Sequence, residues 1–125
     1  MDIRVYPGPS GGRILAPPSK SLGHRAALCA MLAEGESRLT RLPDSQDMEA
    51  TLAAAALWGA RVERRGDAAR IQGDPTGGGY RGTPVFCRES GSTLRFLIPI
   101  FATRRGEACF TGSGRLMERP QKVYA

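Results

Sequence analysis

The sequence predicts an α+β (mixed α/β) chain built from repeated βαβαββ units, one complete and a second in part. Three observations predict it. Apolar residues switch repeatedly between strand and helix spacing. Side-chain oxygens and glycines punctuate each switch. The later stretch also repeats the earlier one at an offset of 71 residues, which aligns Ser19 with Ser90, Ser21 with Ser92, Gly35 with Gly106, Glu36 with Glu107 and Thr40 with Thr111. These matches fall at the same joints between elements, which is where a structural repeat leaves its mark.

The elements follow in order. Residues 1–18 are expected to give two opening strands, at 3–6 and 13–16, split by the turn-forming Pro7-Gly8-Pro9-Ser10-Gly11-Gly12. Residues 19–34 read as a helix closed by Gly35, with Leu28, Met31 and Leu32 toward the core. Residues 37–42 read as a strand. Asp44-Ser45-Gln46-Asp47 opens a second helix, because an oxygen-bearing cap and an acidic first turn suit the positive helix end. Met48, Leu52 and Ala55 continue that helix and Gly59 ends it. Strands near 60–64 and 69–72 turn at Gly66-Asp67 and complete a first unit over 19–73. The stretch 74–84, with Gly77-Gly78-Gly79, reads as a Gly/Pro-rich linker.

Residues 85–125 read as an incomplete second unit. It holds a strand at 85–88, a helix at 90–103 and a strand at 107–111. Leu94, Leu97, Ile98 and Phe101 form the helix's apolar stripe. Pro99 within it is expected to bend the helix or remove a hydrogen bond. A last helix is expected to begin near Pro120, a favoured first-turn residue. Half a unit leaves an apolar face or sheet edge uncovered, so self-association through that edge is expected.

Composition narrows the function. At 125 residues and 41% hydrophobic, the chain is long and apolar enough for one ordered domain. Its net charge of +6 calls for an anionic partner. Nucleic acid fits poorly: there is no long Lys/Arg run and no zinc-finger spacing, and 6% aromatics make a weak stacking platform. Small phosphorylated or carboxylated metabolites suit scattered arginines better. Cys29, Cys87 and Cys109 show no C-x-x-C spacing, and His24 is the sole histidine, so neither a disulfide framework nor a metal site is expected. No apolar run approaches the ~18 residues of a membrane span. The first residues lack the apolar core of a signal peptide, so the expected compartment is the cytoplasm.

Three segments place polar and cationic groups at an expected helix N-terminus, where unpaired N–H groups and the helix dipole favour anions. The first is Ser19-Lys20-Ser21-Leu22-Gly23-His24-Arg25. Ser21 and Arg25 are four apart and share a face; Lys20 and His24 share the neighbouring one. A lysine point charge beside an arginine fork suits a phosphate next to a carboxylate. The second is Glu89-Ser90-Gly91-Ser92-Thr93-Leu94-Arg95, where Gly91 lets a ligand approach the backbone. The third is Arg115-Leu116-Met117-Glu118-Arg119-Pro120, in which the proline pushes Arg119 toward an extended conformation. Taken singly, each spacing equally suits a capped, solvated helix start or a surface arginine.

Together the segments resemble a known family. Pro18-Ser19-Lys20-Ser21, His24-Arg25-Ala26 and Leu32-Ala33-Glu34-Gly35 resemble the N-terminal signature of the enolpyruvyl transferases of the shikimate pathway. Asp44-Ser45-Gln46-Asp47 resembles the family's acidic helix start, Ser90 to Arg95 its G-T-x-x-R segment, and Arg115 to Pro120 its R-x-x-E-R-P segment, all in register. The resemblance implies an enolpyruvyl-transferase-like fold of such units. It also implies transfer of the enolpyruvyl group of phosphoenolpyruvate to the 5-hydroxyl of shikimate 3-phosphate, without metal or cofactor. Lys20, Gly91 and Arg119 would bind phosphoenolpyruvate; Lys20, Ser21 and Arg25 would bind shikimate 3-phosphate. Glyphosate would compete at the phosphoenolpyruvate site. The family's acid/base residues lie in a second lobe, so this chain is expected to be an N-terminal segment, inactive by itself.

Two departures stand out. Glu89-Ser90 replaces the family's common Asn-Ala, and Phe96 replaces a common proline. Rival readings are the UDP-N-acetylglucosamine enolpyruvyl transferases and a non-catalytic anion-binding or interaction module. The former carry Lys-Asn where this chain has Lys20-Ser21, and often a cysteine where it has Gly114.

Overall fold

Each helix starts on a serine. The computed structural model describes residues 2–124. Its helices are α1 (Lys20–Leu32), α2 (Gln46–Trp58) and α3 (Gly91–Ala102). Ser19, Ser45 and Ser90 cap them, accepting hydrogen bonds through their hydroxyls from the backbone N–H groups of Leu22, Met48 and Thr93. Such a cap satisfies one of the four orphan donors at a helix start. Ser19 and Ser90 are one offset of 71 residues apart, and so are Gly35 and Gly106, both in the left-handed region (φ 85° and 96°). These two pairs thus take matching local roles.

The strands are β1 (Glu36–Leu39), β2 (Arg61–Arg65), β3 (Ala68–Gln72), β4 (Val85–Phe86) and β5 (Phe110–Thr111). The first three form an antiparallel sheet in the order β1-β3-β2. Their pleat sends Ile71 and Ala69 into the core and leaves Arg70 and Gln72 outside. α1 and α2 pack on each other and on this sheet. Arg64, on β2, reaches the first turn of α2, where it pairs with Glu49 and donates to the Pro43 carbonyl at 3.2 Å. β4 and β5 pair in parallel, and α3 makes the crossover that parallel strands require.

One aromatic cluster joins the two halves. Phe101 of α3 meets Trp58, Tyr80 and Phe110 edge-on, with centroid separations of 4.9, 5.0 and 5.4 Å. Residues 74–84 are tied down against this cluster. The Asp74 carboxylate accepts from the N–H groups of Thr76, Gly77 and Gly79, and the Trp58 indole donates to the Asp74 carbonyl at 2.6 Å. The Thr76 hydroxyl also donates to this carboxylate at 2.6 Å, and that bond first, with those from the backbone N–H groups, holds the Asp74 carboxyl below its ordinary range.

Several expectations are corrected. Residues 2–18 form neither helix nor strand. Strand backbone needs a neighbour to hydrogen-bond, and none of the described residues supplies one to 3–6 or 13–16. Ile3, Val5, Tyr6, Ile14 and Leu15 are consequently exposed. β1 stops at Leu39 rather than 42. Arg41 takes a positive φ of 56° and turns the chain so that the Leu42 N–H bonds the Asp67 carbonyl at 2.8 Å. In place of a helix near Pro120 the described residues form only a 3-10 turn at Lys122–Tyr124, where the Tyr124 N–H bonds the Gln121 carbonyl at 3.0 Å. That turn resolves the expected defect at Pro99: the Arg95 carbonyl, deprived of its helical donor, accepts from the Tyr124 hydroxyl at 2.8 Å.

Among the described residues, no helix is long and apolar enough to cross a membrane, and no group of three or more His, Cys, Asp or Glu side chains is placed to hold a metal ion. Cys87 is fully buried, and burial pushes its thiol up to about 11, whereas Cys29 and Cys109 are exposed.

Candidate functional site

The N-terminal halves of the three helices come together: Lys20 in the first turn of α1 meets Asp47 in that of α2, and the Thr93 hydroxyl in that of α3 reaches the Asp47 carbonyl at 3.4 Å. His24 on α1 bonds Thr51 on α2 at 2.7 Å, and Thr51 bonds Thr93 on α3 at 2.7 Å. Three helix starts, each with unpaired N–H groups, therefore lie side by side, a natural seat for anions.

Around this junction the cationic residues stand in two groups. On α1, Arg25 donates from Nη1 to the Ser21 carbonyl at 3.1 Å and to the Ser21 hydroxyl. The same guanidinium lies over the ring of Phe96 on α3, 4.8 Å from its centroid. Such stacking fixes the plane of an arginine fork without consuming all its N–H donors. Lys20 points to α2, where its ammonium donates to the Asp47 carboxylate at 2.7 Å; the lysine side chain is 54% exposed and remains open to a ligand.

The second group lies at the mouth of α3. The Arg119 Nη1 sits 3.2 Å from the point where a Cβ on Gly91 would stand. The arginine thus covers the first residue of α3, where the absence of a side chain leaves room. Beside it, Arg115, Glu118, Arg119 and Pro120 line a depression of about 350 Å³. Arg115 donates to the Glu118 carboxylate at 3.3 Å, leaving Arg119 to face the helix start. Glu89 turns away toward Gly114, against which its carboxylate is placed.

The structure thus brings Ser21 to Arg25, Lys20 to Asp47, and Arg119 to Gly91. Lys20 and His24, which the helix spacing put on one face, differ in exposure: the lysine side chain is 54% exposed and His24 only 1%. Asp47 and Phe96 are the residues that the sequence reading did not assign to the site. Asp47 carried a signal, the acidic first turn of its helix; Phe96 carried only its departure from the family's proline.

Burial pushes the His24 imidazole below its ordinary 6.5, outweighing the Asp47 carboxylate, which pulls it up; the Lys20 and Arg25 charges add to the lowering. Below about pH 6.5 the unfolded chain then binds a proton that the folded chain refuses. The contribution to stability is complete above that pH and is lost as pH falls through the folded value. The expected result is a lower Tm at pH 5.5 than at pH 7.5, with the difference reduced in His24→Asn. An equal pH response in the variant would remove His24 from the explanation.

Comparison with known proteins agrees with this architecture. The family model for EPSP synthase (3-phosphoshikimate 1-carboxyvinyltransferase) matches residues 6–123. The 3-phosphoshikimate 1-carboxyvinyltransferase of Clostridium kluyveri is 43% identical over 123 residues, covering 98% of this chain and 28% of the relative. That of Clostridium beijerinckii is 38% identical over 129 residues, covering 98% and 30%. The EPSP synthase from Acinetobacter baumannii superposes with a TM-score of 0.81 at 26% identity, covering 89% of this chain and 26% of that one. The chain spans less than a third of the length of these relatives. With the model matched over nearly its whole length, this chain belongs to the EPSP synthase (3-phosphoshikimate 1-carboxyvinyltransferase) family.

Proposed function

We propose that this chain supplies half of an enolpyruvyl-transfer site, binding shikimate 3-phosphate at the start of α1 and phosphoenolpyruvate at the start of α3. The carrying observation is the placement of Arg119 over Gly91, which sets a guanidinium beside the unpaired N–H groups of α3. A phosphate or carboxylate there meets both a fork of donors and a helix dipole. Lys20, on α1, serves both substrates. Ser21 and Arg25 bind shikimate 3-phosphate, the hydroxyl and guanidinium already joined in one hydrogen-bonded pair.

The chemistry that follows is transfer of the enolpyruvyl group to the 5-hydroxyl of shikimate 3-phosphate with release of phosphate. The contribution of these residues is to neutralise two anions and hold them in contact. Residues that move protons in that reaction are not assigned to this chain. The reading also places the protein in the cytoplasm and makes the phosphoenolpyruvate position the point of glyphosate competition.

Calorimetric titration of this chain with shikimate 3-phosphate tests the reading. Saturable binding is expected, weakened about tenfold or more in Arg25→Ala, since a hydrogen bond to a charged group contributes about 1.5–3 kcal/mol. A folded chain with no measurable binding, or binding indifferent to Arg25, would sink the assignment of this half-site.

A further inference from the structure

The polar cluster beneath the site is unusually complete. His24, Thr51, Ser90 and Thr93 are each no more than 1% exposed, yet come from three different helices. The His24 Nδ1 and Thr51 Oγ1 are 2.7 Å apart, as are Thr51 Oγ1 and Thr93 Oγ1. Thr93 Oγ1 and Ser90 Oγ are also 2.7 Å apart, and Ser90 Oγ accepts from the Thr93 N–H at 3.2 Å. Both threonine hydroxyls reach the Asp47 carbonyl, at 3.3 and 3.4 Å. Buried hydroxyls that connect three elements restrict how those elements can be arranged.

The protons in the cluster can be assigned. The His24 Nε2 is buried and has no hydrogen-bond partner. An imidazole protonated at Nε2, whether neutral or charged, would bury an N–H with nothing to receive it, the costlier kind of orphan. With the proton on Nδ1, His24 donates to Thr51, and only a lone pair is left unmet at Nε2. Thr51 and Thr93 then have protons for the Asp47 carbonyl and for each other or Ser90, so no donor in the cluster is stranded.

The consequence reaches Lys20. Asp47 lies in the first turn of α2 and its carboxylate holds the Lys20 ammonium at 2.7 Å. Its carbonyl, on the same residue, is what the two threonines grip. We propose that His24, as its Nδ1–H tautomer, together with Thr51 and Thr93, is a positioning cluster that fixes Asp47 and through it sets Lys20 at the mouth of the site. None of the three touches substrate. The proposal deepens the function given above in assigning Lys20 a substrate role, but the placement of Lys20 is measurable without any substrate.

Two features make the test clean: His24 is the only histidine, and Lys20 and Lys122 are the only lysines. Nitrogen-15 NMR of the wild-type ring is expected to show Nδ1 protonated and Nε2 bare at pH 7.5; the opposite tautomer would overturn the proposal. The acylation rate of Lys20 by acetic anhydride, referenced to Lys122 in the same molecule, reports how firmly Asp47 holds it. Thr51→Val, which removes the hydroxyl and keeps the shape, is expected to raise that ratio at least threefold. Thr51→Ser, which returns the hydroxyl, is expected to restore it. An unchanged ratio in a folded Thr51→Val chain, or no restoration by serine, overturns the proposal. If wild-type chain fails to bind shikimate 3-phosphate while the tautomer and the lysine ratio behave as stated, the functional reading fails and the positioning cluster stands.

Discussion

Gly73→Ala is expected to lower Tm by about 10 °C or more. Gly73 follows β3 and lies against the C-terminus of α1. There the Gly73 N–H bonds the Gly35 carbonyl at 3.1 Å, and the Asp74 N–H bonds the Met31 carbonyl at 2.8 Å. The second of these satisfies one of the carbonyls that a helix end leaves free. A Cβ on Gly73 would collide with the carbonyl oxygens of Ala33 and Ala30 and stand 3.0 Å from that of Met31. All three are backbone atoms, so no side chain can swing aside. Relief requires moving either the last turn of α1, which packs on the sheet, or the end of β3, which is hydrogen-bonded into it. Overpacking of this kind costs about 3 kcal/mol at the upper end of its usual range. That is a large share of the ~5–15 kcal/mol that holds a domain together, and for 125 residues it converts to the stated shift in Tm. Gly8→Ala is the control, since a Cβ there meets nothing within 4 Å. Circular dichroism melts showing both variants within about 2 °C of wild type would refute the close approach.

The contrast between Gly73 and Gly91 shows what the sequence could and could not disclose. Both are single glycines beside a helix terminus. At Gly91 a methyl group would meet only the tip of Arg119, a flexible side chain, whereas at Gly73 it would meet three carbonyls. Helix starts were legible because a capping serine acts within three residues of itself, and Ser19, Ser45 and Ser90 each do so. The β2–β3 hairpin was legible for the same reason, its turn being marked by Gly66-Asp67. The contacts that assemble the site are of another kind. Lys20 and Asp47 are 27 residues apart, as are His24 and Thr51, and Thr51 and Thr93 are 42 apart. Periodicity tells which face of a helix is apolar, but not which residues on two faces will meet. Phe96 illustrates the limit: the sequence marked it as a departure from proline, and only the packing of α3 beside α1 gives it the Arg25 guanidinium to carry. The opening residues failed for a matching reason, since short runs at 3–6 and 13–16 around a turn announce strands but cannot supply the strand they need.

Trp58→Ala is the second large effect expected, about 3–5 kcal/mol, the usual range for emptying a buried tryptophan site. Trp58 is 1% exposed and ends α2. It meets Phe101 of α3 at 4.9 Å, packs under Gly77, and donates its indole N–H to the Asp74 carbonyl. The side chain therefore fills the seam between the first unit, the 74–80 segment and the β4-α3-β5 half. Trp58→Phe separates the contributions. It keeps an aromatic ring against Phe101 but removes the indole donor, leaving the Asp74 carbonyl only the longer bond from the Gly77 N–H at 3.4 Å, a loss of about 0.5–1.5 kcal/mol. The alanine variant should exceed the phenylalanine variant by the packing share, read from urea midpoints at constant slope. The location of the damage is the sharper test. Because the cavity opens at the seam, amide exchange in α3 should accelerate more than in β2 and β3, whose pairing does not involve Trp58. Equal acceleration in both regions would mean that the two halves unfold as one body. The three helix starts would then be held together by the whole core rather than by the polar junction and the aromatic seam on either side of α2.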